Sequence, residues 1–189
     1  NGVPSRSSSA KVTVRVLDAN DNDPIFQNIP YSFEIQENQP PHTLVGVVSA
    51  TDKDETNQLI YFLDATSQYF TINAESGEVL SSRQLDREEI EQHSLKVIVS
   101  DQGQPPRTSR VDVKIRISDV NDNHPRFDNQ GVFTADIREN QPVGTLVAQI
   151  SARDSDQGEN STITYGFYEP ATNHDTAMFN LNAMTGRIT

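Results

Sequence analysis

The sequence predicts an all-β fold, built as tandem Ig-like β-sandwiches of about seven short strands each. Three observations carry this. Apolar residues alternate with a period of two, turns rich in Asp, Asn, Gly and Pro separate the alternating stretches, and the whole pattern returns about 101 residues later. Tyr31, Phe33 and Ile35 alternate with polar neighbours and make the first strand of a unit. Leu44–Ala50 and Leu59–Leu63 are apolar runs of strand length, and Phe70 and Ile72 precede a Glu75-Ser76-Gly77 turn. Arg83–His93 is short and charged, which suits a surface turn better than a helix. Leu95, Val97 and Val99 alternate again, Gln104-Pro105-Pro106 makes a loop, and Val111, Val113, Ile115 and Ile117 form the last strand.

The repetition rests on several colinear landmarks. Asn20-Asp21-Asn22 returns as Asn121-Asp122-Asn123, and Glu37-Asn38-Gln39-Pro40 as Glu139-Asn140-Gln141-Pro142. Asp52-Lys53-Asp54 returns as Asp154-Ser155-Asp156, and Ser76-Gly77 as Thr185-Gly186. The expected organisation is therefore the last strand and linker of a truncated unit over 1–26, a complete unit over 27–127, and the N-terminal part of a further unit over 128–189. On this reading the chain is a piece of something longer.

Composition narrows the function. The 189 residues carry 22% charged and 34% hydrophobic side chains, enough for a packed core. A net charge of −12 argues against nucleic acid, whose phosphates need the opposite sign. There is no cysteine, so disulfides contribute nothing and redox chemistry gives no compartment. No apolar run reaches the length of a membrane span, and Asn1-Gly2-Val3-Pro4 is no signal peptide.

The candidate site lies in the two linkers. Short carboxylate and carboxamide side chains make poor ladder residues but good hard-oxygen ligands, of which Ca²⁺ takes six to eight. Either linker alone reads as a solvated turn; the pair, at domain spacing and with the acidic landmarks around it, reads as metal binding. The EF-hand loop is excluded by register. It needs Gly at position six and Glu at twelve, whereas counting from Asp52 gives Asn57 and Leu63, and from Asp154 gives Glu159 and Tyr165. His42, His93, His124 and His174 are scattered and form no zinc pattern, and no Gly-x-Ser-x-Gly nucleophile motif occurs. Asn160-Ser161-Thr162 matches a glycosylation sequon, but its place beside the acidic landmarks argues against occupancy.

Together the Asp-x-Asn-Asp-Asn linkers, the Glu-Asn pairs, the Asp-x-Asp pairs, Leu85-Asp86-Arg87-Glu88 and Asp101-Gln102-Gly103 resemble extracellular cadherin repeats over the whole chain. The resemblance is to the long cadherins of the fat, dachsous, flamingo or protocadherin kind. It implies a Greek-key sandwich and up to three Ca²⁺ at each complete joint between units. For the second joint it implies ligands from Glu37, Asp86 and Glu88 in the upper unit and from Asp119, Val120, Asn121, Asp122 and Asn123 in the linker. Asp154, Asp156 and Asn160 would come from the lower unit, with Val120, Asn123 and Asn160 offering carbonyls. The first joint would keep Asp18, Asn20, Asp21, Asn22, Asp52, Asp54, Asn57 and Asp101, enough for its lowest ion only. Glu139 would serve a third joint.

Seven carboxylates at the second joint nearly balance the six charges of three Ca²⁺. Without the ions their repulsion should splay the units apart; with them the inter-unit angle becomes fixed. Extracellular calcium modules bind at about 10⁻⁴–10⁻³ M, so such a rod forms outside cells. The resemblance implies a calcium-dependent cell–cell adhesion receptor at the extracellular face of the plasma membrane. Its partner would be another cadherin, of the same or a different type, on an adjacent cell. No nucleic acid, small-molecule substrate or enzymatic activity is expected. The chain has no Trp for strand-swap adhesion. The alternative is a calcium-stabilised accessory sandwich module of a secreted or surface enzyme.

Overall fold

The computed structural model describes residues 3–4, 6–54, 58–168 and 178–189. In the complete unit the strands are β1 (Ile25–Phe26), β2 (Tyr31–Gln36), β3 (Leu44–Val47), β4 (Ala50–Thr51), β5 (Ile60–Leu63), β6 (Phe70–Ile72), β7 (Glu78–Ser81), β8 (Gln92–Ser100) and β9 (Thr108–Ser118). One sheet has the order β2-β9-β8-β5 and the other β3-β7-β6, with β1 and β4 forming a separate pair. Seven strands thus make the two sheets of a sandwich. Neighbours in each sheet are largely non-consecutive in the chain, because it crosses repeatedly between layers as in a Greek key.

The period-two alternation does what its spacing requires. Tyr31 and Ile35 on β2, Val97 and Val99 on β8, and Val113, Ile115 and Ile117 on β9 all point inward and are buried. Each fully buried aliphatic side chain contributes about 1.5–3 kcal/mol. The apolar run Leu44–Ala50 is divided between two strands instead of forming one. β3 ends at Val47, the Val48 and Ser49 N–H groups donate to Gly77 O and to the Tyr31 hydroxyl, and β4 leaves β3's sheet to pair with β1. Within β3 a register shift falls between Leu44 and Gly46, where the Phe33 ring lies over the glycine, 2.5 Å from where a Cβ would stand. Of the expected Arg83–His93 turn, residues 83–91 lie outside any strand, but Gln92 and His93 already belong to β8, and Gln104-Pro105-Pro106 lies in the β8–β9 connection.

The alternating residues Val12, Val14 and Val16 form no strand; they are at least 79% exposed. A strand exists only with a partner to complete its hydrogen bonds, and no neighbouring edge reaches this segment among the described residues.

The following unit repeats the first in detail. Its pairs are β10 (Arg126–Phe127) with β12 (Ala152–Arg153) and β11 (Ala148–Gln149) with β13 (Arg187–Ile188). A short 3₁₀ turn spans Asp128–Gly131, and no α-helix occurs among the described residues. The Val48 N–H donates to Gly77 O at 3.0 Å, and the Ile150 N–H to Gly186 O at 2.9 Å. The Tyr61 hydroxyl accepts from Ala50 N–H as the Tyr165 hydroxyl accepts from Ala152 N–H. Phe26 packs against Tyr31 and Tyr61, and Phe127 against Phe133 and Tyr165.

Candidate metal centres

The parallel pairing of β2 with β9 explains why distant residues meet at the second joint. Parallel neighbours end on the same side of the sheet, so Gln36 lies opposite Ser118 and both chains leave the unit together. Glu37 therefore emerges beside Asp119, its N–H donating to Ser118 O at 3.0 Å. The β7–β8 connection closes over this end. Buried Leu85 anchors it, and its carbonyl accepts from the Asn38 N–H at 3.0 Å. Asp86, Arg87 and Glu88 then follow at the joint itself. From the next unit, the segment after β12 supplies Asp154 and Asp156.

Glu37 is fully buried, with its two carboxylate oxygens accepting at 2.8 Å from Arg87 N–H and from Val120 N–H. It ties the loop to the linker. Oxygens of Glu37, Glu88 and Asp122 lie within 4.8 Å of one another, and so do those of Glu88, Asp119 and Asp156. Ca–O bonds of 2.3–2.6 Å place ligand oxygens up to about 5 Å apart across one ion. Both triads fit that measure, and because they share Glu88 they lie side by side.

The electrostatics show the strain of this clustering. Glu88 is pushed up to about 7 by burial, with the Glu37 charge adding to it while Arg87 opposes. Asp119 is pushed up by burial too, but hydrogen bonds from the Asn160 side chain, Gln157 N–H and Arg87 hold it below the usual carboxylate range. The second joint thus gathers ionised and partly neutralised carboxylates that additional positive charge would stabilise.

Other expected residues take supporting places. Asn123 donates to Asp156 from its backbone at 3.3 Å and its side chain at 2.8 Å, and Asp154 accepts from Asp156 N–H at 3.0 Å. Asp122 is bound by the side chains of Asn38 and Asn123. The Val120 carbonyl accepts from Asp122 N–H at 2.8 Å. Asn160, expected to offer its carbonyl, directs its side-chain amide to Asp119 at 2.8 Å. Exposed Asp86 accepts from Glu89 N–H at 3.1 Å, Asn121 is exposed, and Glu139 is exposed and outside both triads.

At the first joint, Asn22 donates to Asp54 from both its backbone and its side chain, and Asp54 N–H donates to Asp52. The Asn20 side chain donates to Asp101 at 3.2 Å and to Pro105 O at 2.7 Å. Two oxygens here, Asn20 Oδ1 and Asp52 Oδ2, are buried without a hydrogen-bond partner. Buried oxygens are almost always satisfied, so this pair fits a cation-ligating role. Asn20 sits in a cradle formed by Gly103, where a Cβ would stand 2.1 Å from the carboxamide. Asp18 and Asp21 are exposed, and Asn57 lies outside the described residues, as does His174.

Two functional residues escaped sequence reasoning. The Arg87 guanidinium lies inside the second joint, donating from Nε to Asp119 at 2.6 Å, to Glu88, and to Ser155 O at 2.7 Å. Its position between two acids in Asp86-Arg87-Glu88 was the available signal. Arg107 pins the first linker, reaching Asn20 O at 3.1 Å and Asp23 at 2.8 Å. No local pattern announces a contact across more than 80 residues.

Fold and joints together define a protein of tandem β-sandwich units linked through acidic, metal-suited hinges. A family model for the Cadherin domain matches residues 31–118 and 133–189, and the chain belongs to the cadherin family. It is 40% identical to Protein dachsous of Drosophila melanogaster over 190 residues, covering 100% of this chain and 5% of that one. It is 38% identical to Protocadherin Fat 4 of Mus musculus over 186 residues, covering 97% and 4%. Among solved structures it resembles the Protocadherin GammaB4 extracellular domain, with a TM-score of 0.84, 30% identity, and coverage of 99% of this chain and 32% of that one. Mouse Cadherin-23 EC22-24 gives a TM-score of 0.82 and 32% identity, with coverage of 92% and 55%. The chain therefore spans only about a twentieth of the curated relatives it matches. These relatives are cadherins and not enzymes, and the sandwich architecture agrees with the all-β expectation. No helix among the described residues is long and apolar enough to cross a membrane.

Proposed function

We propose that the chain is a calcium-stiffened segment of a cell–cell adhesion receptor's ectodomain, working at the extracellular face of the plasma membrane. The observation that carries this is the pair of adjoining triads sharing Glu88, built from two units and the linker between them. Glu37, Glu88 and Asp122 would hold one ion. Glu88, Asp119 and Asp156 would hold its neighbour, with Asp86 and the Val120 carbonyl at the margin. Asn121, Asp154, Asp156 and the Asn123 and Asn160 carbonyls would hold a third, up to three in all. At the first joint, Asn20, Asp52 and Asp54 with Asp101 would hold the lowest ion, and Asp18, Asp21, Asn22 and Asn57 are the remaining candidates. Glu139 would serve a further joint.

Bound Ca²⁺ supplies positive charge that both units share. The protein's part is to bring opposed carboxylates together on rigid supports. Glu37 is fixed by two N–H donors, and Asp156 is gripped by Asn123, so neither can swing away without losing hydrogen bonds. Binding at these positions would turn a jointed chain into a rod, and the rod would present more distant repeats to another cadherin, of the same or a different type, on the neighbouring cell. Family membership and the similarity to Protein dachsous and Protocadherin Fat 4 support an adhesion role.

The test is small-angle scattering of the 189-residue chain in chelator and in millimolar calcium, with binding followed by calorimetry. Calcium should lengthen the particle and narrow its distribution of shapes. Identical profiles and no binding heat would sink the proposal.

A further inference from the structure

We infer that Arg87 is a built-in latch of the second joint, holding its two units together at low calcium and giving up shared carboxylates as calcium enters. The latch is a property of this side chain's contacts; its displacement rests on the calcium reading above.

Three segments converge on one guanidinium. Glu88 belongs to its own loop, Asp119 to the linker, and the Ser155 carbonyl to the next unit. The side chain is only 11% exposed, and of its three contacts the one to Asp119 is part-buried while those to Glu88 and Ser155 lie at the surface. An arginine's rigid fork can serve several acceptors at once, which a lysine's single ammonium does less well. The Ser155 contact is the informative one, because it reaches the following unit directly, at 2.7 Å.

The acceptors are also the ligand candidates. Glu88 belongs to both triads and Asp119 to one of them. A carboxylate oxygen committed to the guanidinium offers less to a cation, so Arg87 and calcium draw on the same charges. Removing the guanidinium should then act in opposite directions at the two ends of a calcium titration. A residue that merely supports the fold would weaken the joint at both.

The chain has no cysteine, so Glu34→Cys and Val143→Cys place two labels uniquely, at exposed positions on successive units. Distances between spin labels are measured for the otherwise unchanged chain, Arg87→Gln and Arg87→Lys, in chelator and through a calcium titration. In chelator, Arg87→Gln should broaden and lengthen the distribution, with Arg87→Lys in between. In the titration, the midpoint for joint closure in Arg87→Gln should fall by about fivefold, the lower end of typical coupling between sites. An unchanged distance distribution in chelator overturns the latch. A midpoint that moves to higher calcium overturns the competition and makes Arg87 an ordinary support. If the unsubstituted chain shows no calcium response, the proposed calcium function fails, and the chelator comparison still decides the latch.

Discussion

Asn22 holds Asp54 twice, donating from its backbone N–H at 3.0 Å and also from its side-chain amide. The same clasp recurs between Asn123 and Asp156. In both joints the last asparagine of the linker thus orients the second acid of the Asp-x-Asp pair. Asp54 is held below its ordinary value of 3.8, first by the Asn22 N–H and then by the Asn22 side chain.

Asn22→Ala should therefore raise the Asp54 pKa toward 3.8 by removing one of two donors. The linkage sign follows from the lowered value. The clasp's stabilising effect is present above the unfolded-state pKa and fades as pH falls through the lower folded one. Carboxyl NMR titration of Asp54 in both proteins checks this, and an unshifted midpoint in the variant would count against the clasp.

Gly103→Ala should disable the first joint without unfolding the unit. The new Cβ would stand 2.1 Å from Asn20's carboxamide, which must leave its cradle and lose its contacts to Asp101 and Pro105. The expected result is a calcium stoichiometry lower by about one ion, since a carboxamide oxygen can supply one of six to eight ligands. The thermal midpoint in chelator should barely change. Full stoichiometry with unaltered affinity would show that Asn20 is no ligand.

The fold was legible because its signals are local and repeated. Alternation placed the inward residues of β2, β8 and β9, and the 101-residue spacing announced the joints. The divided Leu44–Ala50 run was not legible, since at the break Val48 and Ser49 bond to partners distant in sequence, Gly77 O and the Tyr31 hydroxyl. The last strand expected within 1–26 does not form around Val12–Val16, because periodicity records a face and not the presence of a partner. In the site, acidic motifs pointed to Glu37, Glu88, Asp119, Asp122 and Asp156. Arg87 was not legible because hard metal ions are held by oxygens, while packing admits a competing cation to the same cluster.

Gly77→Ala should cost at least about 2 kcal/mol, combining left-handed backbone strain with a collision. Gly77 has φ of 71°, and its Cβ would lie 2.2 Å from the Val48 carbonyl oxygen, which is backbone and cannot rotate aside. The Val48 N–H bond to Gly77 O would be pushed apart with it. Urea unfolding of the complete unit checks this, and a loss below about 0.5 kcal/mol, the range of an ordinary surface change, would contradict it.

His93 should make the complete unit less stable in mild acid. Its ring lies 4.8 Å from that of Tyr69 and 5.0 Å from that of Phe70, and burial pushes its pKa below the ordinary 6.5 against the opposing Glu89 charge. A histidine with a lowered folded value stabilises above its unfolded pKa and loses that contribution as pH falls through the folded one. Glu88 acts in the opposite sense. Pushed up to about 7, it favours the folded state below its ordinary 4.5 and loses that favour as pH rises through 7. The net profile mixes the two, so a comparison with His93→Gln is required. The stability difference between the unsubstituted chain and His93→Gln, measured in chelator, should grow from pH 5 to pH 7.5. His93 is partly exposed and solvent screening reduces the effect, so the growth should stay below about 1 kcal/mol. His42 and His124 are exposed and offer no similar ring contact among the described residues. A pH-independent difference would mean that the Tyr69–His93–Phe70 cluster packs equally well around the charged ring.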